Sequence, residues 1–137
     1  HDLAKAIQDT HDLSTVCAPT ISQLLGIKAL KMGNKYIKKM VKEYDRRRKL
    51  IIPRLNQMGI TTPMPKGAFY GFGNITSFDK NSKRFCTKMI KKAKVAAVPG
   101  IDFGPAGEGR VRFSFATDYK LIEKALDKIE PFLKKYK

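Results

Sequence analysis

The sequence has few of the residues that most often catalyse reactions or bind metals. Its 137 residues include no tryptophan, two cysteines and two histidines. A structural zinc site needs about four ligands, and Cys17, Cys86, His1 and His11 are too widely spaced for a zinc motif, so we predict no metal site. Two cysteines do not make a disulfide framework, and no Ser/His/Asp or Cys/His grouping indicates nucleophilic catalysis. We expect both cysteines to be reduced and partly buried.

Long apolar runs are also missing. No stretch approaches the roughly 20 apolar residues that cross a bilayer, and the N-terminus lacks the basic-then-apolar layout of a signal peptide. We therefore predict a cytoplasmic protein without a membrane partner. The chain starts with His1 rather than with Met, which leads us to expect that residues precede it in a longer protein.

Acidic residues are scarce. There are 12 of them against 28 lysines and arginines, which gives a formal net charge of +16. Such an excess favours binding to the phosphates of nucleic acids. The basic residues, however, occur in nearly every predicted helix, and the densest run, Asp45-Arg46-Arg47-Arg48-Lys49, lies in a helix that also carries Glu43. A basic nucleic-acid-binding module is therefore the alternative hypothesis, while solvated lysine-rich helix faces are the simpler interpretation.

The remaining composition suits one compact domain, because 42% of the residues are hydrophobic. Apolar periodicity predicts helices over residues 1–13, 20–32 and 34–58, a further helix that begins at Asn81 or Ser82 with Phe85, Met89 and Ile90 on one face, and a last helix from Asp118. Alternation and composition predict strands over residues 68–72, 95–98 and 110–116. The order of elements predicts an α+β domain in which helices cover one side of a small sheet.

Two of the predicted helices have distinctive patterns. The helix over 20–32 is apolar nearly all round, so we expect it to be largely buried, and we expect it to leave an exposed apolar patch if its covering domain or subunit is missing. Pro19 fits its first position and Gly33 its end. The helix over 34–58 begins after a possible cap at Asn34 and is amphipathic. Pro53 should kink it.

Arg112 is the residue that the local pattern singles out. In the strand over 110–116, Val111, Phe113 and Phe115 face one way, and Arg110, Arg112 and Ser114 face the other. An exposed strand arginine is ordinary, but its planar, always-charged fork also matches a carboxylate. The neighbouring glycine-containing segments, 98–104 and 106–109, match neither phosphate-binding fingerprint. We interpret them as turns.

Six short motifs, taken together, resemble the class I aminotransferases of the fold-type I pyridoxal-phosphate family, most closely the aspartate and aromatic aminotransferases. They follow the family's order and spacing from about residue 13 to the C-terminus. The motifs are Cys17-Ala18-Pro19-Thr20-Ile21-Ser22-Gln23; Glu43-Tyr44-Asp45-Arg46-Arg47-Arg48; Leu55-Asn56-Gln57-Met58-Gly59; Pro65-Lys66-Gly67-Ala68-Phe69-Tyr70; Val98-Pro99-Gly100-Ile101-Asp102-Phe103-Gly104; and Gly107-Glu108-Gly109-Arg110-Val111-Arg112-Phe113-Ser114-Phe115-Ala116-Thr117.

The resemblance implies a fold and a role for each segment of the chain. Residues 1–137 would form a single domain, with 1–33 leading from a large domain and 34–137 forming the C-terminal small domain of the family. Arg112 would bind the substrate α-carboxylate, with Phe69 and Tyr70 near the substrate side chain. The segment around Thr20 would approach the active site across the dimer interface, and the complete enzyme would be a homodimer.

The resemblance also implies which parts are missing. The family's cofactor-anchoring lysine follows a serine upstream of the region matched here, and Ser82-Lys83-Arg84 is only a superficial match. We therefore expect no catalytic and no cofactor-binding residue in this chain, and no activity from the chain alone. The complete protein would use pyridoxal phosphate to transfer an amino group from an L-amino acid to a 2-oxo acid. A regulatory domain that kept this fold without catalysis is a further hypothesis.

Overall fold

The computed structural model describes residues 2–136 and divides into two units, one that ends at Lys39 and one that begins at Met40. The first unit contains α1 (Asp2–Ser14), α2 (Thr20–Lys31) and the start of α3 (Lys35–Gln57). The second contains the rest of α3, followed by β1 (Tyr70–Asn74), α4 (Ser82–Ala93), β2 (Val98–Pro99), β3 (Arg110–Ser114) and α5 (Tyr119–Lys134). The roles that the resemblance implies for residues 1–33 and 34–137 stay predictions.

The first unit consists of helices whose apolar residues are exposed. The predicted first two helices are confirmed, with Pro19 as the capping residue of α2 rather than its first helical residue, and with Gly33 following α2 at φ +67°. The prediction that α2 is largely buried is wrong for this chain, since none of its residues is buried and Leu30 is 84% exposed. Apolar residues that surround a helix need partners on every side, and this unit does not supply them. The expected apolar patch is therefore present.

Helix α3 is amphipathic as predicted, but only its C-terminal part is buried. Ile51, Ile52 and Leu55 lie in the core, whereas Val41 is 59% exposed. The helix continues through Pro53 to Gln57. Asn34 precedes it, and Gly59, with φ +91°, follows its end. The core-facing part of α3 is the part that packs beside the sheet.

The sheet has three antiparallel strands in the order β1-β3-β2. Strand β3 is confirmed where alternation predicted it, with Val111 and Phe113 buried. The predicted strand over 68–72 is displaced to 70–74, because Ala68 has φ +59°, a conformation that a strand does not accept. The predicted buried strand over 95–98 is wrong. Its segment leaves α4 through Lys94 in a left-handed conformation, and it joins the sheet only at Val98–Pro99.

Two glycines on the inner face of β1 allow α3 and the following segment to approach the sheet. Gly71 and Gly73 pair with Phe113 and Val111 of β3. A methyl group added at Gly71 would lie 2.8 Å from Ile52 Cδ1, and one added at Gly73 would lie 2.5 Å from Ile60 Cγ2. Any larger side chain would push these residues off the sheet.

Helices α4 and α5 complete the core on the apolar face of the sheet. Phe85 and Met89 of α4 are buried as predicted, but Ile90 is 48% exposed, and Cys86 lies on the buried face in its place. From α5 the buried residues are Ile122, Leu126, Ile129, Phe132 and Leu133. Caps fix both starts, since Asn81 accepts a hydrogen bond from Arg84 N (2.7 Å) and Asp118 accepts one from Lys120 N (2.9 Å). The α+β fold class is confirmed.

The structure also bears on the predictions about membrane spans, metal sites and thiols. Across residues 2–136, no helix is both long and apolar enough to cross a bilayer, and no group of three metal-binding side chains occurs. Neither cysteine forms a disulfide, and Cys86 is buried, but the expectation of partial burial is wrong for Cys17, which lies in the exposed segment before α2. Burial, with a smaller contribution from Asp102, raises the pKa of the Cys86 thiol to about 11. That thiol is therefore protonated at neutral pH.

Candidate functional site

Strand β3 places Arg112 at the middle of the sheet's outer face. It is the central strand, and Arg112 pairs with Phe72 on β1 and with Val98 on β2. Its neighbours in the strand, Val111 and Phe113, point into the core. Because side chains alternate along a strand, Arg112 projects to the side opposite the helices. The sequence prediction for its orientation is confirmed.

The Arg112 guanidinium lies beside two aromatic rings. Its Cζ is 4.4 Å from the centroid of Tyr70 and 4.7 Å from that of Phe103. Tyr70 belongs to β1, and Phe103 follows β2 in a short 3-10 turn, so the rings come from segments that flank β3 on its two sides. Each such contact stabilises a cation by about 0.5–1 kcal/mol at an exposed site and by more where water is excluded. The rings therefore limit the positions open to the guanidinium.

One hydrogen-bond donor of this guanidinium is buried without a partner. Within the part of the chain that the structure describes, no acceptor reaches Arg112 Nε, and no carboxylate lies within ion-pair distance of the side chain. A buried donor without a partner costs about 1–3 kcal/mol. Arg110 adds a second positive charge two residues away on the same strand face. The arrangement suits an anionic acceptor with two oxygens, such as a carboxylate.

Two consecutive 3-10 turns, Gly100–Phe103 and Pro105–Gly107, carry Phe103 to its position. A methyl group added at Gly107 would lie 2.0 Å from the carbonyl oxygen of Gly100, so the two turns touch through their backbones. The interpretation of these segments as tight turns is confirmed. Their glycines are needed for close packing of chain against chain.

Side chains from α4 and from the end of the second turn fix this loop. Glu108 accepts hydrogen bonds from the backbone N–H groups of Ser82 (2.6 Å) and Gly109 (3.1 Å). Ser82 Oγ accepts one from Ile101 N (3.3 Å). The Ser82 N–H, followed by that of Gly109, lowers the pKa of Glu108 below its ordinary value. Glu108 therefore remains a charged anchor at neutral pH.

The segment before β1 places Phe69 differently from Tyr70. Phe69 is partly buried, stacks on Tyr44 with centroids 5.7 Å apart, and accepts a hydrogen bond from Phe115 N through its carbonyl (2.9 Å). Its ring is also 4.5 Å from that of Tyr70. The structure thus brings Tyr70 to Arg112, whereas Phe69 packs behind Tyr70 and against the core. A contact of either ring with substrate stays a prediction.

Arg48 holds the start of this segment. It donates a hydrogen bond from Nη1 to the carbonyl of Pro65 (2.6 Å) and forms an ion pair with Asp45 of its own helix. Lysine at this position would keep the charge but not both contacts at once. Arg48 therefore positions the loop that leads to Tyr70.

Sequence reasoning missed Phe103 as a neighbour of Arg112. The two residues lie in different motifs, with both 3-10 turns between them, so the strand pattern around Arg112 gave no sign of the contact. The one available signal was an aromatic residue in a glycine-rich segment beside that strand. Phe103 is 52% exposed, so its ring does not belong to the core.

Lys83 is the only lysine that directly follows a serine, so its surroundings test whether it could anchor a carbonyl cofactor. Its ammonium group lies 3.5 Å from Asp102, and its side chain is 66% exposed. A nucleophilic lysine is activated by an apolar pocket or by a nearby cation. Lys83, which is solvated and paired with a carboxylate, does not fit such a role.

Comparison with known proteins gives consistent results. The sequence profile described as aminotransferase class I and II matches residues 2–129. The chain is 48% identical over 126 residues to an aspartate aminotransferase of Pyrococcus abyssi, a match that covers 90% of this chain and 32% of that protein. It is 46% identical over 126 residues to an aromatic-amino-acid aminotransferase of Thermococcus litoralis, with coverage of 90% and 32%.

Solved structures agree with these sequence matches. The alanine aminotransferase of Pyrococcus furiosus superposes with a TM-score of 0.87 at 34% identity, covering 96% of this chain and 34% of that one. The chain thus spans about a third of the length of the curated relatives that it matches.

Proposed function

Because this chain belongs to the class I and II aminotransferase family, we propose that it forms the part of an aminotransferase that binds the substrate α-carboxylate. The complete protein would transfer an amino group from an L-amino acid, aspartate-like or aromatic, to a 2-oxo acid. The observation that supports the proposal best is the environment of Arg112. Its guanidinium lies beside the rings of Tyr70 and Phe103, and its Nε is buried without a partner among residues 2–136. We further propose that the complete enzyme is a cytoplasmic homodimer.

In this proposal Arg112 orients the substrate. A carboxylate would accept two parallel hydrogen bonds from the guanidinium, for which no carboxylate partner lies within ion-pair distance among residues 2–136. Two parallel hydrogen bonds fix the carboxylate plane as well as its position. Since the carboxylate is attached to Cα, this fixes the position of Cα and leaves rotation about the C–Cα bond as the main freedom of the amino group and the Cα–H bond. Such alignment can contribute several kcal/mol to catalysis.

The aromatic neighbours would keep the guanidinium in place between turnovers. The ring centroids of Tyr70 and Phe103 lie 4.4 and 4.7 Å from Arg112 Cζ. In the proposed ion pair, their rings would cover part of the guanidinium and reduce its contact with water, which would strengthen the pair. Phe69, whose ring is 4.5 Å from that of Tyr70, would act by supporting Tyr70.

Pyridoxal phosphate is the cofactor that we propose for the complete protein. When bound, it supplies an electron sink for bonds at the substrate Cα. Lys83, the lysine that directly follows a serine, is exposed and paired with Asp102, and so does not fit its covalent attachment. We assign that attachment to a lysine outside these 137 residues.

Substitution of Arg112 in the full-length enzyme tests the proposal. Loss of one partner of a largely desolvated ion pair costs about 3–5 kcal/mol, so Arg112→Ala should lower kcat/KM by roughly two to four orders of magnitude. Arg112→Lys should restore only part of the activity, because a point charge cannot make the fork. Neither change opens a core cavity, so the melting temperature and the cofactor spectrum should be retained.

Lys134→Ala is the matched control, since it removes a surface cation that pairs with Glu130 on α5. Its kcat/KM should stay at the wild-type value. Near-normal activity of Arg112→Ala, or a loss that unfolding explains entirely, would remove Arg112 from the substrate site.

A further inference from the structure

The carboxylates of the second unit are distributed unevenly among its many basic residues. Six of these carboxylates form ion pairs with basic side chains: Glu43 with Arg46 and Arg47, Asp45 with Arg48 and Lys49, Asp79 with Arg84, Asp102 with Lys83, Asp127 with Arg54, and Glu130 with Arg54 and Lys134. Glu108 and Asp118 are held by backbone N–H groups instead, and Glu123 forms no ion pair within residues 2–136. Basic residues elsewhere in this unit therefore lack an internal counter-charge.

Four of those basic residues line one concavity between α4 and α5. Lys88 and Lys92 lie one turn apart on α4, and Lys128 and Lys135 come from α5 and its C-terminal cap. No acidic residue is among the side chains that line it, and within residues 2–136 none of the four lysines lies within ion-pair distance of a carboxylate. Like charges one helical turn apart destabilise a helix slightly. The cluster therefore concentrates positive charge without an internal counter-charge, at some expense of helix stability.

The floor of this cleft is rigid and partly apolar. Phe132 and Tyr136 lie 5.2 Å apart by ring centroid and both pack on Phe85 of α4. The Lys88 ammonium lies 4.7 Å from the Tyr136 ring. Tyr136 is itself fixed, because its hydroxyl donates a hydrogen bond to the buried Asp79 (2.6 Å). The four lysine side chains above this floor are exposed, so they would attract an anion through solvent and the attraction would weaken as salt is raised.

We propose that this cleft binds a compact polyphosphate, meaning a chain of two or more linked phosphoryl groups. The space is about 370 Å³, at the lower end of the range for small-molecule sites. Each phosphate group carries up to about two negative charges, so a short chain can offset four lysines in that space, which one carboxylate cannot. Lysine binds phosphate as a point charge without the fork geometry that planar carboxylates favour.

The polyphosphate cleft is separate from the proposed substrate site. It lies in the helix layer, on the side of the sheet where Val111 and Phe113 are buried, whereas Arg112 projects from the other side. Loss of polyphosphate binding and loss of amino transfer can therefore be measured independently. A nucleic acid would need an extended track of cations rather than one concave site, so the local shape favours the small polyanion.

Isothermal titration of the 137-residue chain with inorganic triphosphate at low salt tests this inference. We expect saturation at one triphosphate per chain and affinity that falls as salt is raised. The double variant Lys92→Gln/Lys128→Gln, which retains Lys88 over Tyr136, should bind about tenfold more weakly. The control Lys42→Gln/Lys120→Gln removes the same charge from exposed positions outside the cleft and should bind like the wild type.

Competing ligands and the control variant distinguish a specific phosphate site from a general attraction of anions to the chain. Adenosine triphosphate that binds as well as inorganic triphosphate, or better, would support a site for the phosphate chain. Many weak binding events per chain, or equal weakening in both double variants, would show that overall charge alone attracts the anion and would overturn the proposal. A short duplex DNA that binds more tightly than triphosphate, and equally to both variants, would overturn it in favour of a nucleic-acid surface.

Discussion

At the scale of single residues, the environment of Arg112 distinguishes it from an ordinary strand arginine. A solvated arginine on the wet side of a sheet has its donors hydrated, whereas Arg112 Nε is buried and unpartnered within residues 2–136. Tyr70 and Phe103 hold the side chain in that state. The guanidinium is therefore held in one place without an internal carboxylate partner, which is the state that the proposed carboxylate recognition requires.

Phe103 is the neighbour whose contribution is easiest to isolate. In the full-length enzyme, Phe103→Leu keeps an apolar side chain but removes the ring beside the guanidinium. Since such a contact contributes about 0.5–1 kcal/mol, kcat/KM should fall by roughly two- to fivefold, mainly through a higher KM for the amino acid. Steady-state kinetics with one amino-acid substrate would measure it.

Ile90→Leu is the control for that change, because Ile90 is 48% exposed on α4, away from the sheet's outer face. It should leave the kinetics unaltered. Unchanged kinetics in Phe103→Leu as well would mean that the ring does not position Arg112.

Residue-scale features divide into those that local patterns predict and those that they do not. Alternation over 110–116 was sufficient to predict that Val111 and Phe113 are buried and that Arg112 projects outward, since a strand has a fixed period of two. The contact with Phe103 depends on how two turns fold between the strands. No local pattern encodes such a contact, and its discovery required the structure.

At the scale of elements, the two 3-10 turns depend on contact between glycine backbones. Gly107→Ala would place a methyl group 2.0 Å from the Gly100 carbonyl oxygen, so we expect a loss of about 3 kcal/mol or more in the free energy of unfolding. Urea denaturation of the 137-residue chain would measure it. Gly26→Ala, in α2 with nothing within 4 Å of the added methyl group, should instead be neutral or slightly stabilising.

A wild-type unfolding curve for Gly107→Ala would show that the turns can separate without loss. It would also weaken the assignment of Phe103, because the same turns carry that ring.

Asp79 connects α4 and α5 through a buried carboxylate. It accepts hydrogen bonds from Arg84 Nε (2.8 Å), Tyr136 Oη (2.6 Å) and Asn81 N (2.9 Å). Arg84, with help from Tyr136 and the Asn81 N–H, holds the pKa of Asp79 well below its ordinary range, while burial and the same carboxylate raise the pKa of Tyr136. Asp79→Asn should therefore destabilise the domain by about 1–3 kcal/mol at neutral pH.

The pH dependence of that loss follows from the direction of the shift. A carboxylate with a lowered pKa in the folded state contributes stability at pH values above its unfolded pKa of about 3.9, and the contribution declines as pH falls below that value. Urea midpoints of wild type and Asp79→Asn should differ at pH 7, still differ at about pH 4, and approach each other as the pH falls from about 4 towards 2. A difference that stays constant from about pH 4 to pH 2 would mean that the charge of Asp79 is not responsible.

Predictions at the element scale succeeded where caps and periodicity act locally. Asn81, one of the two residues expected at the start of α4, caps that helix, and α5 begins beside Asp118 as expected, with Asp118 as its cap. The expected strand over 95–98 failed because a short apolar run fits a strand and an irregular connection equally well, and tertiary contacts decide between them. The all-round apolar pattern of α2 indicates that the helix needs to be buried. The pattern does not show whether the surface that covers the helix belongs to this chain.

At the scale of the whole molecule, this chain corresponds to about a third of the relatives that it matches. We predict that the isolated chain neither attaches pyridoxal phosphate covalently nor catalyses amino transfer, because Lys83 does not fit the anchoring role. Absorbance spectroscopy of the purified chain mixed with cofactor measures this. A stoichiometric visible band that disappears on changing a single lysine would contradict it.

The net charge of +16 is a whole-molecule property that composition reveals but cannot locate. Only the structure separates the lysines and arginines that pair with carboxylates from those that line the cleft between α4 and α5. The family resemblance, by contrast, was visible from the sequence because six motifs recur in order. The profile match over residues 2–129 confirms it.

The central claim is that Arg112 recognises the substrate α-carboxylate, and substrate discrimination in the full-length enzyme tests it most directly. The measurement is the ratio of kcat/KM for an amino acid to kcat/KM for the matching carboxamide, in wild type and in Arg112→Ala. We expect the wild type to favour the carboxylate by at least about a hundredfold and the variant to lose most of that preference. A ratio that is the same in both proteins would contradict the assignment of Arg112 to the α-carboxylate.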